Sequence, residues 1–298
     1  MGMTTLENAL VRVQISDKGA ELCSLYDKRL GAELLWQADA AYWNRHAPVL
    51  FPFVGKVYGG SYRTGGEAYP MGQHGFARDL TFDLVRADDS SCTHVLRDTP
   101  ETRRVYPFAF ELEITHVLQD NRLQVCWKIT NPSKETLYFS IGGHPGFNCP
   151  VLPGEKRRDY TVRFGTKTRL QYALLDPASG CLVKDRQYTL EIPSGGLPLE
   201  RDLFDHDALI FEDGQVQEAS ICAPDGTVRV TLRCAGFPFF GFWSKPGDAP
   251  FVCLEPWCGR ADDVGFEGDL SEKTGENSLE AGGTFTCSYG IAAGAWTE

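Results

Sequence analysis

Apolar and polar residues alternate along much of this chain. The pattern runs through Leu10-Val11-Arg12-Val13-Gln14-Ile15, Phe110-Glu111-Leu112-Glu113-Ile114, Leu123-Gln124-Val125-Cys126-Trp127-Lys128-Ile129 and Val228-Arg229-Val230-Thr231-Leu232. A period of two predicts strands with one buried face. Turn signals separate them at Asp17-Lys18-Gly19, Tyr58-Gly59-Gly60, Gln119-Asp120-Asn121, Asn131-Pro132-Ser133 and Asp225-Gly226. Repeated strand–turn–strand units predict an all-β chain, a large antiparallel sandwich or barrel. Helical signals are few, and Asp39 to Trp43 predicts a single helical turn. Residues 262 to 283 are acidic and glycine-rich and read as surface loop. Strand character returns at Thr284-Phe285-Thr286-Cys287-Ser288-Tyr289, which favours one domain over residues 1–298 that closes on itself.

Composition sharpens this reading. Aromatic residues make up 12% of the 298, which suits pleated surfaces and also flat ligands with polar edges. A formal net charge of −11 argues against a nucleic-acid partner, because phosphate binding relies on Lys and Arg. The basic run Lys156-Arg157-Arg158 reads first as a solvated surface run, with an anionic ligand contact as the sharper alternative. Ten cysteines are spread without a Cys-x-x-Cys pair or a usual zinc-ligand spacing, so no metal is expected. With no secretory signal at the start, they imply a reduced, cytoplasmic protein. No apolar run is long enough to span a membrane, so no membrane association is expected.

The candidate chemistry lies in turns. His74 sits in Gly72-Gln73-His74-Gly75-Phe76 and His144 in Gly142-Gly143-His144-Pro145-Gly146-Phe147. Glu255 sits in Leu254-Glu255-Pro256-Trp257. Histidine exchanges protons most readily near neutral pH, and a desolvated carboxylate becomes more basic. Two imidazoles and one carboxylate can therefore transfer protons without a metal or cofactor. Taken singly, each has a plain structural alternative: a turn histidine bonded to backbone, or a buried ion pair. His46, His94, His116 and His206 are weaker candidates, and His94 and His116 sit in polar or strand-like contexts with no turn motif.

These segments, with Asn44-Arg45-His46-Ala47-Pro48-Val49-Leu50-Phe51-Pro52-Phe53-Val54-Gly55 before them, carry a resemblance. In order and rough spacing the chain resembles the aldose 1-epimerase (galactose mutarotase) family. The Pro-Val-Leu-Phe-Pro segment is similar to its LacX-like branch. The resemblance implies a β-supersandwich and a cofactor-free mutarotase that interconverts the α and β anomers of a free aldose. It implies His144 as the acid on the ring oxygen, Glu255 as the base on the C1 hydroxyl, and His74 as the histidine that polarises the ring oxygen. Two positions depart from the galactose type. Where that type has a sugar-contacting arginine, the loop reads Gly55-Lys56-Val57, leaving Lys56, Arg45 or Arg78 for the role. The family's sugar-binding aspartate has no clean match; Asp207 is the best candidate for it, with Asp205 as rival. A sugar-phosphate mutarotase, and a non-catalytic carbohydrate-binding or sugar-sensing protein, are the competing expectations. The sequence does not specify an oligomeric state.

Overall fold

The computed structural model describes residues 2–297. Almost all regular structure is antiparallel β. The largest sheet has nine strands, ordered in space as Leu197–Pro198, Thr161–Arg163, Glu218–Cys222, Val228–Arg233, Thr284–Ala293, Arg122–Thr130, Glu111–Gln119, Ser91–Arg97 and Asp83–Ala87. A second sheet runs Leu209–Phe211, Phe239–Trp243, Phe251–Cys258, Ile141–Gly143 and Val49–Leu50, with Gly146–Asn148 also paired to Phe251–Cys258. A four-stranded sheet is built from Met3–Glu7, Val11–Ser16, Glu21–Asp27 and Ala32–Glu33.

The alternation read from the sequence decides which faces meet. Leu112, Ile114 and Leu118 on one strand and Leu123, Val125, Trp127 and Ile129 on the next are buried on one side of the nine-stranded sheet. From the second sheet, Phe240, Phe242, Val252 and Leu254 join the same core. The sheets touch where Phe51 meets Phe110 edge-on at 5.1 Å, and where a side chain at Gly143 would come within 3.0 Å of the Tyr289 hydroxyl. The result is a β-sandwich. Asp39 to Trp43 does form one turn, closed by the Trp43 N–H on the Asp39 carbonyl at 2.9 Å.

Two expectations need correction. Residues 262 to 283 are not simply surface loop: Asp262, Leu270 and Lys273 are buried. Lys273 pairs with Glu276 at 3.1 Å and donates to the Arg260 carbonyl at 2.6 Å. In the basic run, Arg157 is buried rather than solvated. Its guanidinium donates to the carbonyls of Gly247 and Ala249 at 3.0 and 3.2 Å, fastening that loop. Both cations go inside because backbone carbonyls and, for Lys273, a carboxylate receive them. Among the described residues, no helix is long and apolar enough to cross a membrane.

Candidate active site

The second sheet has one face in the core and the other under loops, and the candidate residues lie on the latter. Along Phe251–Cys258 the side chains alternate. Val252 and Leu254 enter the core, so Cys253, Glu255 and Trp257 point to the loop side. The register sets Gly241 opposite Glu255 and Gly142 opposite Trp257. A Cβ at Gly241 would lie 2.4 Å from the Trp257 indole, and one at Gly142 would lie 2.5 Å from it. The two glycines thus leave a bed in which the indole lies flat beside Glu255.

The histidines arrive from loops. His74 takes a left-handed backbone, φ 67°, and Gly75 follows at φ 66° with no room for a Cβ, which would fall 2.3 Å from the Phe51 carbonyl oxygen. Its backbone N–H donates to the Gly55 carbonyl at 2.8 Å, and its Nδ1 accepts from the Gly55 N–H at 3.0 Å. That second bond fixes the tautomer: Nδ1 is the acceptor, so the proton sits on Nε2 and can be donated to a ligand. His144 leaves the Ile141–Gly143 strand, and its N–H donates to the Pro48 carbonyl at 3.2 Å. Its ring stacks on Trp43 at 4.8 Å and meets Trp243 edge-on at 5.7 Å. Trp43 is held in turn by the Trp36 indole N–H on its carbonyl at 2.8 Å.

The three candidate residues meet. His144 Nε2 is 3.2 Å from Glu255 Oε2, and the His74 and His144 rings lie 5.6 Å apart, edge to face. All three are buried. Burial, followed by the negative charge of Asp207, holds the Glu255 carboxyl well above the usual carboxylate range, against a smaller pull from the Trp257 N–H. Burial lowers His144 to about 3, with the cations Arg78 and Arg45 adding to the effect and its own carbonyl opposing it. His74 is held well below the usual imidazole range by burial, by His144 and by the same arginines. Low dielectric penalises both charges of the His144–Glu255 pair, so the pair favours holding one proton between two neutral groups. At 3.2 Å, though without hydrogen-bond alignment, the two atoms are close enough for that proton to pass once a small ring rotation lines them up.

The pair faces a cavity of about 300 Å³. Asp207 lines it, with a left-handed backbone, φ 70°, while Asp205 does not. Arg78 also lines it and donates to the Gln73 carbonyl at 2.6 Å. Arg45 is not in the lining; it pairs with Asp79 at 3.0 Å. Lys56 lies in an adjoining hollow that shares Gln73 with the cavity, and its stem packs on Gly180. Sequence reasoning did not find Leu175, Gly180, Ala208, Ile210 or Ala261, which complete the lining. Most come from loops without periodicity, so only the strand residue Ile210 had a sequence signal. Cys253 lies behind the pair, with one ligand-type atom within 4.8 Å of those of His144 and Glu255.

Comparison with known proteins gives a consistent picture. Residues 3–289 match the model of a family described as aldose 1-epimerase. The chain is 32% identical over 274 residues to the chromosomal protein LacX of Lactococcus lactis subsp. lactis, covering 90% of this chain and 91% of that one. It is 36% identical to a galactose mutarotase related enzyme from Lactobacillus acidophilus, with a TM-score of 0.92 over 99% of this chain and 98% of that one. A galactose mutarotase-like protein from Lactobacillus casei is 33% identical, with a TM-score of 0.88 over 98% and 99% of the two chains.

Proposed function

The chain belongs to the aldose 1-epimerase family, and from that premise we propose that it is itself a mutarotase, exchanging the α and β anomers of a free aldose. The observation that carries this reading is the buried His144–Glu255 contact of 3.2 Å at the wall of the cavity. Anomer exchange needs one group to give a proton and another to take one, then the reverse. A pair that shares a single proton is always one acid and one base.

The ring opens when His144 gives its proton to the ring oxygen as the C1–O bond breaks. Glu255 takes the proton of the C1 hydroxyl, leaving an aldehyde. This ends with the proton on Glu255 and His144 neutral, the arrangement that burial favours in the empty cleft. Rotation about C1–C2 and return of both protons closes the other anomer. A hop across the 3.2 Å contact reaches the opening state from the resting one. The Nε2–H of His74, oriented by the bond at Nδ1, polarises the ring oxygen. Each such group contributes about 10²–10⁴-fold. The Trp43, Trp243 and Trp257 surfaces receive the apolar faces of the sugar, and Asp207 and Arg78 bind hydroxyls. A cavity of about 300 Å³ is at the small end of ligand pockets and fits a monosaccharide.

One observation favours a narrower reading, a phosphorylated or acidic aldose. Arg78 is lowered to about 10 by burial and then by the positive charge of Arg45 nearby. Asp79, 3.0 Å from Arg45 and 3.9 Å from Arg78, offsets part of that repulsion, and an anion in the cavity would offset more. Polarimetry of freshly dissolved α-D-glucose, α-D-galactose and phosphorylated aldoses tests both readings. The protein should speed the approach to equilibrium without added metal or nucleotide. Sugar binding by calorimetry with no change in rate for any of them rejects catalysis in favour of a carbohydrate-binding protein.

A further inference from the structure

A second cluster of chemistry-bearing side chains lies in the core, apart from the cleft. Cys92 and His94 are two residues apart on Ser91–Arg97, so they share a face. On the neighbouring strand His116 stands directly opposite Cys92, which brings its ring to the same face. One ligand-type atom from each of the three lies within 4.8 Å of the others. Cys92 and His94 are fully buried and His116 is 2% exposed. Both ring nitrogens of His94 and Nδ1 of His116 have no hydrogen-bond partner. Natural cores rarely leave such atoms unsatisfied, and three in one cluster call for a ligand.

A fourth group reaches in from the turn after Val11–Ser16. Asp17 Oδ1 is 3.4 Å from His94 Nε2, without hydrogen-bond alignment. A tetrahedron with zinc–nitrogen and zinc–oxygen bonds of about 2.0–2.1 Å has edges of roughly 3.3–3.4 Å. The spacing that is poor for a hydrogen bond is therefore right for two ligands of one metal ion.

We propose that Cys92, His94, His116 and Asp17 form a structural site for a divalent transition metal ion, with zinc as the occupant their chemistry selects. One thiolate and two imidazoles favour zinc over magnesium or calcium, which take oxygen ligands. Binding forms four coordinate bonds and releases the Cys92 thiol proton to solvent. The Cys92 thiolate and Asp17 carboxylate together neutralise the two charges of the ion, so no net charge is buried. Four protein ligands leave no open position, which makes the site structural rather than catalytic. The three core atoms, up to 4.8 Å apart, must close by up to about 1.5 Å, and Asp17, which is 3.4 Å from His94 but lies outside that grouping, must swing in towards Cys92 and His116. Asp17, whose side chain is 22% exposed, offers the ion its way in.

The test uses the whole protein, stripped with a chelator and titrated with cobalt(II) and then zinc(II). Wild type should bind about one cobalt per chain, with visible bands of tetrahedral intensity and a near-ultraviolet thiolate-to-cobalt band. Zinc should displace the cobalt and raise the unfolding temperature. Cys92→Ser should remove the thiolate band, and His116→Gln should weaken binding at least tenfold. Asp17→Asn, a milder change, should weaken binding while keeping the band. Two other groupings contain a cysteine, His144–Cys253–Glu255 and Glu21–Cys23–His46. The band should therefore persist in Cys253→Ser and Cys23→Ser. No band and no zinc-dependent stabilisation in wild type overturns the proposal, as does a band that survives in Cys92→Ser or disappears in either control. Should Cys92→Ser fail to fold, the wild-type spectrum and the two controls decide the matter. None of these readouts depends on turnover.

Discussion

Replacing Glu255 by glutamine separates the chemistry of the cleft from its stability. The carboxyl is 1% exposed, and its Oε2 lies 3.2 Å from His144 Nε2. If burial keeps the proton on Glu255, glutamine is close to isosteric with the group it replaces and still presents a donor to Nε2. The folded state of Glu255→Gln should then lie within about 1 kcal/mol of wild type. A carboxylate–imidazolium pair behaves differently. Glutamine would leave a buried imidazolium without its counter-charge, and breaking such a pair costs about 3–5 kcal/mol. Turnover should fall in either case, by about 10²–10⁴-fold, or roughly 2.7–5.4 kcal/mol of barrier. Stability is read from guanidinium unfolding, and rate from polarimetry corrected for the uncatalysed exchange. A variant with the wild-type rate refutes the role given to Glu255. One that loses more than about 3 kcal/mol of stability refutes the neutral, one-proton pair.

His144→Asn should keep sugar affinity within a few-fold by calorimetry while losing about 10²–10⁴-fold in rate; equal losses in both would make His144 a binding group. The pH profile of kcat/KM, which reports the free protein, should be broad. His144 is lowered to about 3, so falling pH adds the second proton only near there. Glu255 is raised, so rising pH removes the shared proton only above the usual carboxylate range. An acid limb near the ordinary glutamate value of about 4.3 contradicts this assignment. Lys273→Ala strands the Glu276 carboxylate, 2% exposed and 3.1 Å from the ammonium, and should cost about 3–5 kcal/mol in denaturant unfolding. Gly75→Ala puts a Cβ 2.3 Å from the Phe51 carbonyl oxygen at φ +66°, and should lose at least about 1–2 kcal/mol along with the orientation of His74.

How far sequence could reach follows from which interactions are local. Alternation in Leu123 to Ile129 depends only on side chains pointing to opposite faces of a strand, and the sheet carries it as read. The glycine-flanked turns at His74 and His144 were legible for the same reason, since φ 67° at His74 is a local demand of the backbone. Register is not local. Nothing near Glu255 in sequence says that Gly241 stands opposite it, yet that pairing makes room for the Trp257 indole. The same limit hid the Cys92–His94–His116 cluster, because His116 joins the other two only when the hairpin pairs it with Cys92. Arg157 and Lys273 misled in the opposite direction. A charged residue in a loop reads as solvated, and only the fold brings the carbonyls of Gly247, Ala249 and Arg260 to receive these cations. The cleft combines both kinds of information. Local turns present the imidazoles, non-local register buries the carboxylate beside them, and that burial lowers His144 and raises Glu255, so that charge on either is costly.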